Sequence, residues 1–336
     1  MHCTTAKRSW QSTAWAAALL AIGGVAIVSV APATAADDAC GEVWLINTRS
    51  APHSLVPETG NAVPETGNAV PDAPERQIGY FRLHDGCDWQ RADSEEFFHG
   101  TGEPIPTIVF VHGNHADASA AVRDGRLLER RIRQQAAGCP FRFVIWSWPA
   151  DRVRGGPRRD AQVKACYANA QSHYLAECLD RLEGDVPVTL VGYSFGARVI
   201  TGALHLLGGG RLAGRELCRQ DVPQSQPIRR AVLVAAAADA DWLWPGRRHG
   251  LALSQVDRIL VTKNRRDPVL KWYPLMYGRG GPQAMGYAGP AGCGCTENID
   301  VLNVTSTVGR NHDWARYAAD PGLRCRLGSY CFLEPE

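Results

Sequence analysis

Residues 185–207 read DVPVTLVGYSFGARVITGALHLL. Val186 to Val191 is a short apolar, β-branched run of the kind that forms a strand buried on both faces, and Phe195 to Leu207 carries apolar residues at helical spacing. Between strand and helix sits Ser194, flanked by Gly192 and Gly196 in the pattern G-x-S-x-G. A sharp strand-to-helix turn of this kind holds its serine in a strained backbone conformation. The positions two before and two after must then be small, so that strand and helix can pass each other. The serine hydroxyl is left at the carboxyl edge of a sheet, with the amides that open the helix aimed at any negative charge forming beside it. As a bare string the motif also fits a plain glycine-rich turn; the strand before it and the helix after it favour a nucleophile.

Outward from this stretch the chain alternates strands and helices. Glu42–Thr48 and Ile78–Leu83 read as the first two strands, and Ile105–Val111 as a strongly apolar third that ends in His112-Gly113-Asn114. A helix is predicted from Ala118 to Gln135 with Asp117 as its cap, then a strand from Phe141 to Trp148 closed by Pro149. A long amphipathic helix from Asp160 to Leu182 leads into the serine strand. Further strands are predicted at Arg229–Ala236, Arg258–Thr262 and Ile299–Val304, with a last helix from Asp313 to Ala319. This order argues for an α/β fold with a mainly parallel sheet covered on both faces. The heptapeptide VPETGNA occurs twice in tandem, from Val56 and from Val63. It has no apolar period to bury, so residues 51–75 read as a low-complexity surface loop inside a single domain spanning 36–336.

The amino-terminal end has a different character. Lys7 and Arg8 precede an apolar run from Ala14 to Val30, and Ala33-Thr34-Ala35 supplies small residues ahead of Asp37 and Asp38. This is the pattern of a secretory signal, residues 1–35, with cleavage after Ala35; an uncleaved membrane anchor is the alternative. Cys40 lacks the apolar box of a lipoprotein. The expected location is secreted or periplasmic. Removing the leader takes away two cations and no acid, so the formal charge of +2 falls to zero. Arg152, Arg154, Arg158 and Arg159 cluster beside Asp151 and Asp160 without interleaved aromatics, which reads as a solvated loop and not as a nucleic-acid surface. Of the eleven cysteines, ten remain after Cys3 leaves with the leader. Disulfides are expected in an oxidising compartment, since Cys293-Gly-Cys295 with Cys325 and Cys331 matches no common zinc spacing.

A serine hydroxyl needs a base in hydrogen-bond reach and a third group to orient that base. Three histidines follow Ser194. His205 lies inside the helix, about three turns from the serine. His249, in the polar stretch GRRHG, reads as a surface loop residue. His312, after the last strand in GRNHDW, is the candidate base. For the acid, Asp267 in TKNRRDPVL stands at the carboxyl end of a strand, while Asp239 and Asp241 in AAAADADW follow the preceding strand and remain alternatives. Asp313 reads as a first-turn helix carboxylate. The oxyanion would take the backbone amide of Phe195 and an amide of the His112–Asn114 loop, with Asn114 preferred and His112 read as holding the loop.

With V-F-V-H-G-N after one strand, G-Y-S-F-G after a later one, D-P-V beyond and a late histidine, the chain resembles the α/β-hydrolase superfamily of esterases, lipases and related serine hydrolases from Ile105 to Ala319. The resemblance implies a mostly parallel sheet of about eight strands. It also implies Ser194, Asp267 and His312 as a triad and Asn114 and Phe195 as the oxyanion hole. The H-G-G-G run of many lipases is missing. No metal or nucleotide motif is present, so no cofactor is implied. The expectation is therefore an exported serine hydrolase cleaving a carboxylic ester or related acyl bond of a small-molecule substrate, with no nucleic-acid partner and no stable membrane insertion once the leader is cleaved. An acyltransferase using the same triad and a non-catalytic binding protein of the same fold are the rival readings. Trp242 and Trp244, or Trp272, Tyr273, Tyr277 and Tyr287, are candidate walls of an acyl pocket or lid, or else core cover.

Overall fold

The computed structural model describes residues 41–53, 77–99, 105–136, 138–182, 186–218, 229–278, 280–292 and 297–333. The expected signal segment and the tandem heptapeptide lie outside them. In chain order the elements are β1 (Gly41–Asn47), β2 (Gly79–His84), β3 (Asp88–Ala92), α1 (Ser94–Phe98), β4 (Thr107–Val111), α2 (Ala118–Arg133), β5 (Phe141–Ser147), α3 (Pro157–Arg181), β6 (Val188–Tyr193), α4 (Phe195–Leu207), β7 (Arg229–Val234), β8 (Arg258–Lys263), α5 (Met285–Ala288), β9 (Ile299–Asn303), α6 (Trp314–Ala318) and α7 (Pro321–Tyr330). Short 3-10 helices occupy Ala252–Gln255 and Leu270–Met276.

The strands form one sheet in the order β3-β2-β1-β5-β4-β6-β7-β8-β9. From β1 to β9 every neighbouring pair is parallel, and β2 and β3 are added to β1 as an antiparallel hairpin. Parallel strands end at a common edge, so the segments that follow β4, β5, β6, β7, β8 and β9 all emerge on one side. The apolar runs put β4 and β6 at the centre: all five residues of β4 are buried, as are the first five of β6. Helices α3 and α4 pack on each other, and α2 packs with α6 and α7. Asp117 caps α2 by accepting from the Ala120 amide at 2.7 Å, as its position predicts.

The fold is α/β as expected, with nine strands in place of about eight. The additional strand is β3, DWQRA, whose polar and largely exposed pattern carries no burial signal. It is held by its register with β2 around a turn at Asp85 and Gly86, both in the left-handed region. Helices α1 and α7 were likewise not anticipated. His249 is the clearest correction. Expected on the surface, it is 1% exposed, because residues 239–255 fold back onto α4, where Thr201 Oγ1 and His249 Nδ1 meet at 2.8 Å and Trp242 lies edge-on at 4.5 Å. His205 lies inside α4, as expected, where it is buried and accepts from the Leu251 amide.

The expected disulfides find no support among the described residues: Cys87, Cys139, Cys178, Cys218, Cys325 and Cys331 are thiols. Cys178 on α3 and Cys331 after α7 are buried, which pushes each thiol up to about 12 and leaves it unreactive.

Candidate active site

Ser194 sits between β6 and α4 with φ 54° and ψ −113°, a strained conformation for a residue with a side chain. The turn is held from β7: the Ser194 amide donates to Val234 O at 2.9 Å, and the Ala237 amide donates to Ser194 O at 3.1 Å. The flanking glycines are required by close approach. A Cβ at Gly196 would stand 2.0 Å from Val111 O, and one at Gly192 would stand 2.7 Å from Ala197 Cα.

His312, in the segment between β9 and α6, faces the serine with Nε2 at 3.1 Å from Ser194 Oγ. Its Nδ1 donates to Asp267 Oδ2 at 2.7 Å, a tautomer set by the carboxylate. Asp267 follows β8 and is fully buried. Its Oδ1 accepts from the amides of Val269 and Leu270, both at 2.9 Å, and its Oδ2 also accepts from the Tyr317 hydroxyl at 2.7 Å. Burial, and then the neighbouring Asp267 charge, raise the Tyr317 phenol, so it remains a donor. The alternative acids are elsewhere: Asp239 accepts from Tyr273 at 2.6 Å, and Asp241 pairs with Arg247 at 3.3 Å. Asp313 caps α6 by accepting from the Ala315 and Arg316 amides, as its position suggested.

The loop after β4 lies against the serine. A Cβ at Gly113 would be 3.1 Å from Ser194 Cβ and 2.8 Å from the Tyr193 ring, so glycine is needed for the loop to approach at all. His112 is buried. Its Nδ1 donates to Gly113 O at 2.8 Å, its Nε2 accepts from the Trp148 amide at 3.2 Å, and the Trp148 indole donates back to His112 O. Burial is the main reason its pKa falls to about 3, which keeps the ring neutral as that bonding pattern requires. This is the loop-holding part expected of it.

The Asn114 side chain is engaged elsewhere, donating to Asp160 Oδ2 at 2.7 Å, so any donor it offers to an oxyanion would be its backbone amide. Asp160, on the first turn of α3, also takes His115 Nε2 at 2.8 Å and the Val153 amide at 2.6 Å. Burial opposes its charge, but these hydrogen bonds win and lower its pKa. The Phe195 amide, the other expected donor, is the first of α4 and belongs to the groups a helix leaves without internal partners.

Sequence reasoning missed three supporting residues. Asp160 ties the loop after β4 to the loop after β5 across 46 positions. Tyr317 steadies the acid, and Tyr193 donates to the carbonyl of His312 and lies 5.5 Å from its ring. Tyr193 carried a faint signal in its place next to the serine; the other two carried none. The aromatic walls divide. Trp242 is buried between the guanidiniums of Arg198 at 4.4 Å and Arg248 at 5.0 Å, whereas Trp272 is 62% exposed. Among the described residues no group of three or more His, Cys, Asp or Glu is placed to hold a metal ion.

The parallel sheet, the serine turn at its centre and the loops gathered on one edge define an α/β-hydrolase fold. Residues 147–213 match the model of a family described as "Protein of unknown function (DUF726)". That stretch runs from the end of β5 through α4 and holds both Asp160 and Ser194. No curated protein matches the chain. Solved structures that it resembles include Zea mays acyl-protein thioesterase 2, at 14% identity and a TM-score of 0.34, covering 69% of this chain and 96% of that one. An acetyl xylan esterase is similar at 16% identity and a TM-score of 0.30, covering 68% and 95%, and a ferulic acid esterase at 12% and 0.32, covering 76% and 93%. At these TM-scores the likenesses carry no argument about activity, and the fold rests on the strand order itself.

Proposed function

We propose that this chain is an exported serine hydrolase that cleaves a carboxylic ester or related acyl bond through an acyl-enzyme on Ser194. The observation that carries the proposal is the continuous relay of Ser194 Oγ, His312 Nε2, His312 Nδ1 and Asp267 Oδ2, with links of 3.1 and 2.7 Å at the carboxyl edge of the sheet. In the first half-reaction Ser194 Oγ attacks the acyl carbon as His312 takes its proton. The carbonyl oxygen becomes an oxyanion held by the amides of Phe195 and Asn114. The imidazolium then protonates the leaving alcohol, the bond to the leaving group breaks, and the acyl group remains esterified to Ser194. In the second half, water loses a proton to His312 while attacking the acyl carbon, and the carboxylic acid departs as Ser194 regains its proton. Asp267 keeps the imidazole oriented throughout and stabilises its charged form. These steps need only groups of the chain and water. Export is supported by the Lys7-Arg8 pair and the apolar run that follows it.

The test is turnover of a chromogenic acyl ester series by purified protein beside Ser194→Ala and His312→Ala. Activity on at least one short or medium acyl chain, lost on the order of 10³-fold or more in each variant, is expected. Equal rates in wild type and Ser194→Ala would defeat the proposal.

A further inference from the structure

The 3-10 helix Leu270–Met276 is apolar on two of its three faces. With three residues per turn, positions three apart line up along one face. Leu270, Tyr273 and Met276 form the inner face and are buried, as packing onto the core requires. Val269, Trp272 and Leu275 form a second line that faces solvent, at 55%, 62% and 49% exposure, and Tyr277 follows at 46%. Six large hydrophobic residues are exposed among the described residues, and these are four of them. They are concentrated on one element, which the acid Asp267 caps through the Val269 and Leu270 amides. Among the described residues nothing packs over this apolar line far enough to bury it.

The charge around it is mostly positive; the exposed acid of the neighbouring segment after β5, Asp151, is paired with Arg49 at 2.7 Å. Between Arg258 and Thr296 the only acid is Asp267, which is buried. Arg265, Arg266 and Lys271 flank the apolar line and are exposed. The arginine-rich segment after β5 adjoins the same element: Gln162 of α3 donates to Met276 O at 3.1 Å, and Arg158 and Arg159 lie one helical turn before Gln162. Arg152, Arg154, Arg158 and Arg159 are all exposed. Both segments leave the sheet at the edge that holds Ser194, since β5, β6 and β8 are parallel members of one sheet.

We propose that this rim is a peripheral docking surface for an anionic lipid bilayer, with the Val269-Trp272-Leu275 line entering the headgroup region and the basic side chains meeting lipid phosphates and carboxylates. Apolar contact alone would suit a neutral surface and cations alone would suit any polyanion; the two side by side suit an anionic bilayer. The association is adsorption, not spanning: among the described residues no helix is long and apolar enough to cross a membrane. It is independent of the hydrolase reading, because none of the residues involved takes part in the proposed chemistry.

The experiment is co-sedimentation of the purified mature chain with vesicles of phosphatidylcholine alone and of phosphatidylcholine mixed with phosphatidylglycerol. Wild type and Ser194→Ala should bind the anionic vesicles equally, and both should bind the neutral ones at least about tenfold more weakly. Arg265→Gln/Arg266→Gln should weaken anionic binding by roughly twenty-five-fold, about fivefold per cation. Trp272→Ser/Leu275→Ser, at exposed sites where the thermal midpoint is expected to be unchanged, should weaken it by about tenfold or more. Three outcomes would overturn the proposal: absence of binding by folded wild type, equal binding to both vesicle types, or anionic binding that the Trp272/Leu275 change leaves intact. The last would mark a general polyanion surface, to which duplex DNA would bind as well.

Discussion

At the residue scale, Asp267 receives four hydrogen bonds while fully buried, and only one of them comes from His312. The other three hold the carboxylate in place whether or not the histidine is charged. Asp267→Asn should therefore fold while leaving His312 in the wrong tautomer, lowering kcat by about 10⁴-fold in steady-state ester hydrolysis. Tyr317→Phe removes one hydrogen bond to that carboxylate and should lower stability by about 1 kcal/mol in urea titrations.

His112 makes a separate prediction about pH. Its Nε2 accepts a backbone N–H, so protonation would set two donors against each other in a buried site. Its pKa is about 3 in the fold against 6.5 in an unfolded chain, so between these values the unfolded state binds the additional proton. Stability is then present above pH 6.5 and is lost as pH falls toward about 3. His249, lowered well below its ordinary value chiefly by burial and also by Arg248 and Arg198, acts with the same sign. Thermal midpoints should fall from pH 7 to pH 4, and more steeply in wild type than in His112→Asn, by up to about 1.4 kcal/mol per pH unit for the one group.

At the scale of elements, the serine turn depends on three strands meeting one helix. β6 supplies the approach, the end of β7 and the segment just after it hold the two backbone ends of Ser194, and the end of β4 leaves no room beside Gly196. Gly196→Ala would drive its methyl group into the Val111 carbonyl, which neither strand nor helix can yield. It should destabilise the chain by about 3 kcal/mol or more and abolish ester turnover. Asp160 works between elements, joining α3 to the segments after β4 and β5. Asp160→Ala should lower kcat about tenfold or more through loss of oxyanion-loop geometry, with KM changing less; a purely structural role would move the thermal midpoint alone.

Legibility from sequence divides along the same lines. The Ser194 turn is legible because strand, turn and helix are contiguous, and His312 and Asp267 stand out because each lies in the segment that follows a strand of the parallel sheet. Asp160 was not, because its partners lie in two other segments and its own context is a run of arginines. His249 was misread because its neighbours Arg247, Arg248 and Gly250 are polar or small, while its burial comes from a loop folding onto α4. Nothing in the sequence indicates that the side chain of Asn114, the expected oxyanion donor, bonds to Asp160 46 positions away.

For the molecule as a whole, alternation of strand and helix points to the parallel sheet, whose central strands are mostly apolar and almost wholly buried. The edges were harder. β3 is polar and exposed, and it exists through pairing with β2. α7 has a sparse apolar pattern, yet Leu323, Leu327 and Tyr330 are buried and Thr189 of β6 donates to Tyr330 O at 2.6 Å. The last helix thus packs against α2, α6 and β7 and is tied to the serine strand by that bond, a placement set by the completed fold.

The central claim is that Ser194 is an activated nucleophile. Treating the folded chain with a fluorophosphonate and mapping the product by mass spectrometry tests it most directly. A single adduct on Ser194, absent from Ser194→Ala and slowed by orders of magnitude in His312→Ala, is the predicted result. A folded wild-type chain that takes up no phosphonyl group, or takes it up at another residue, would contradict it.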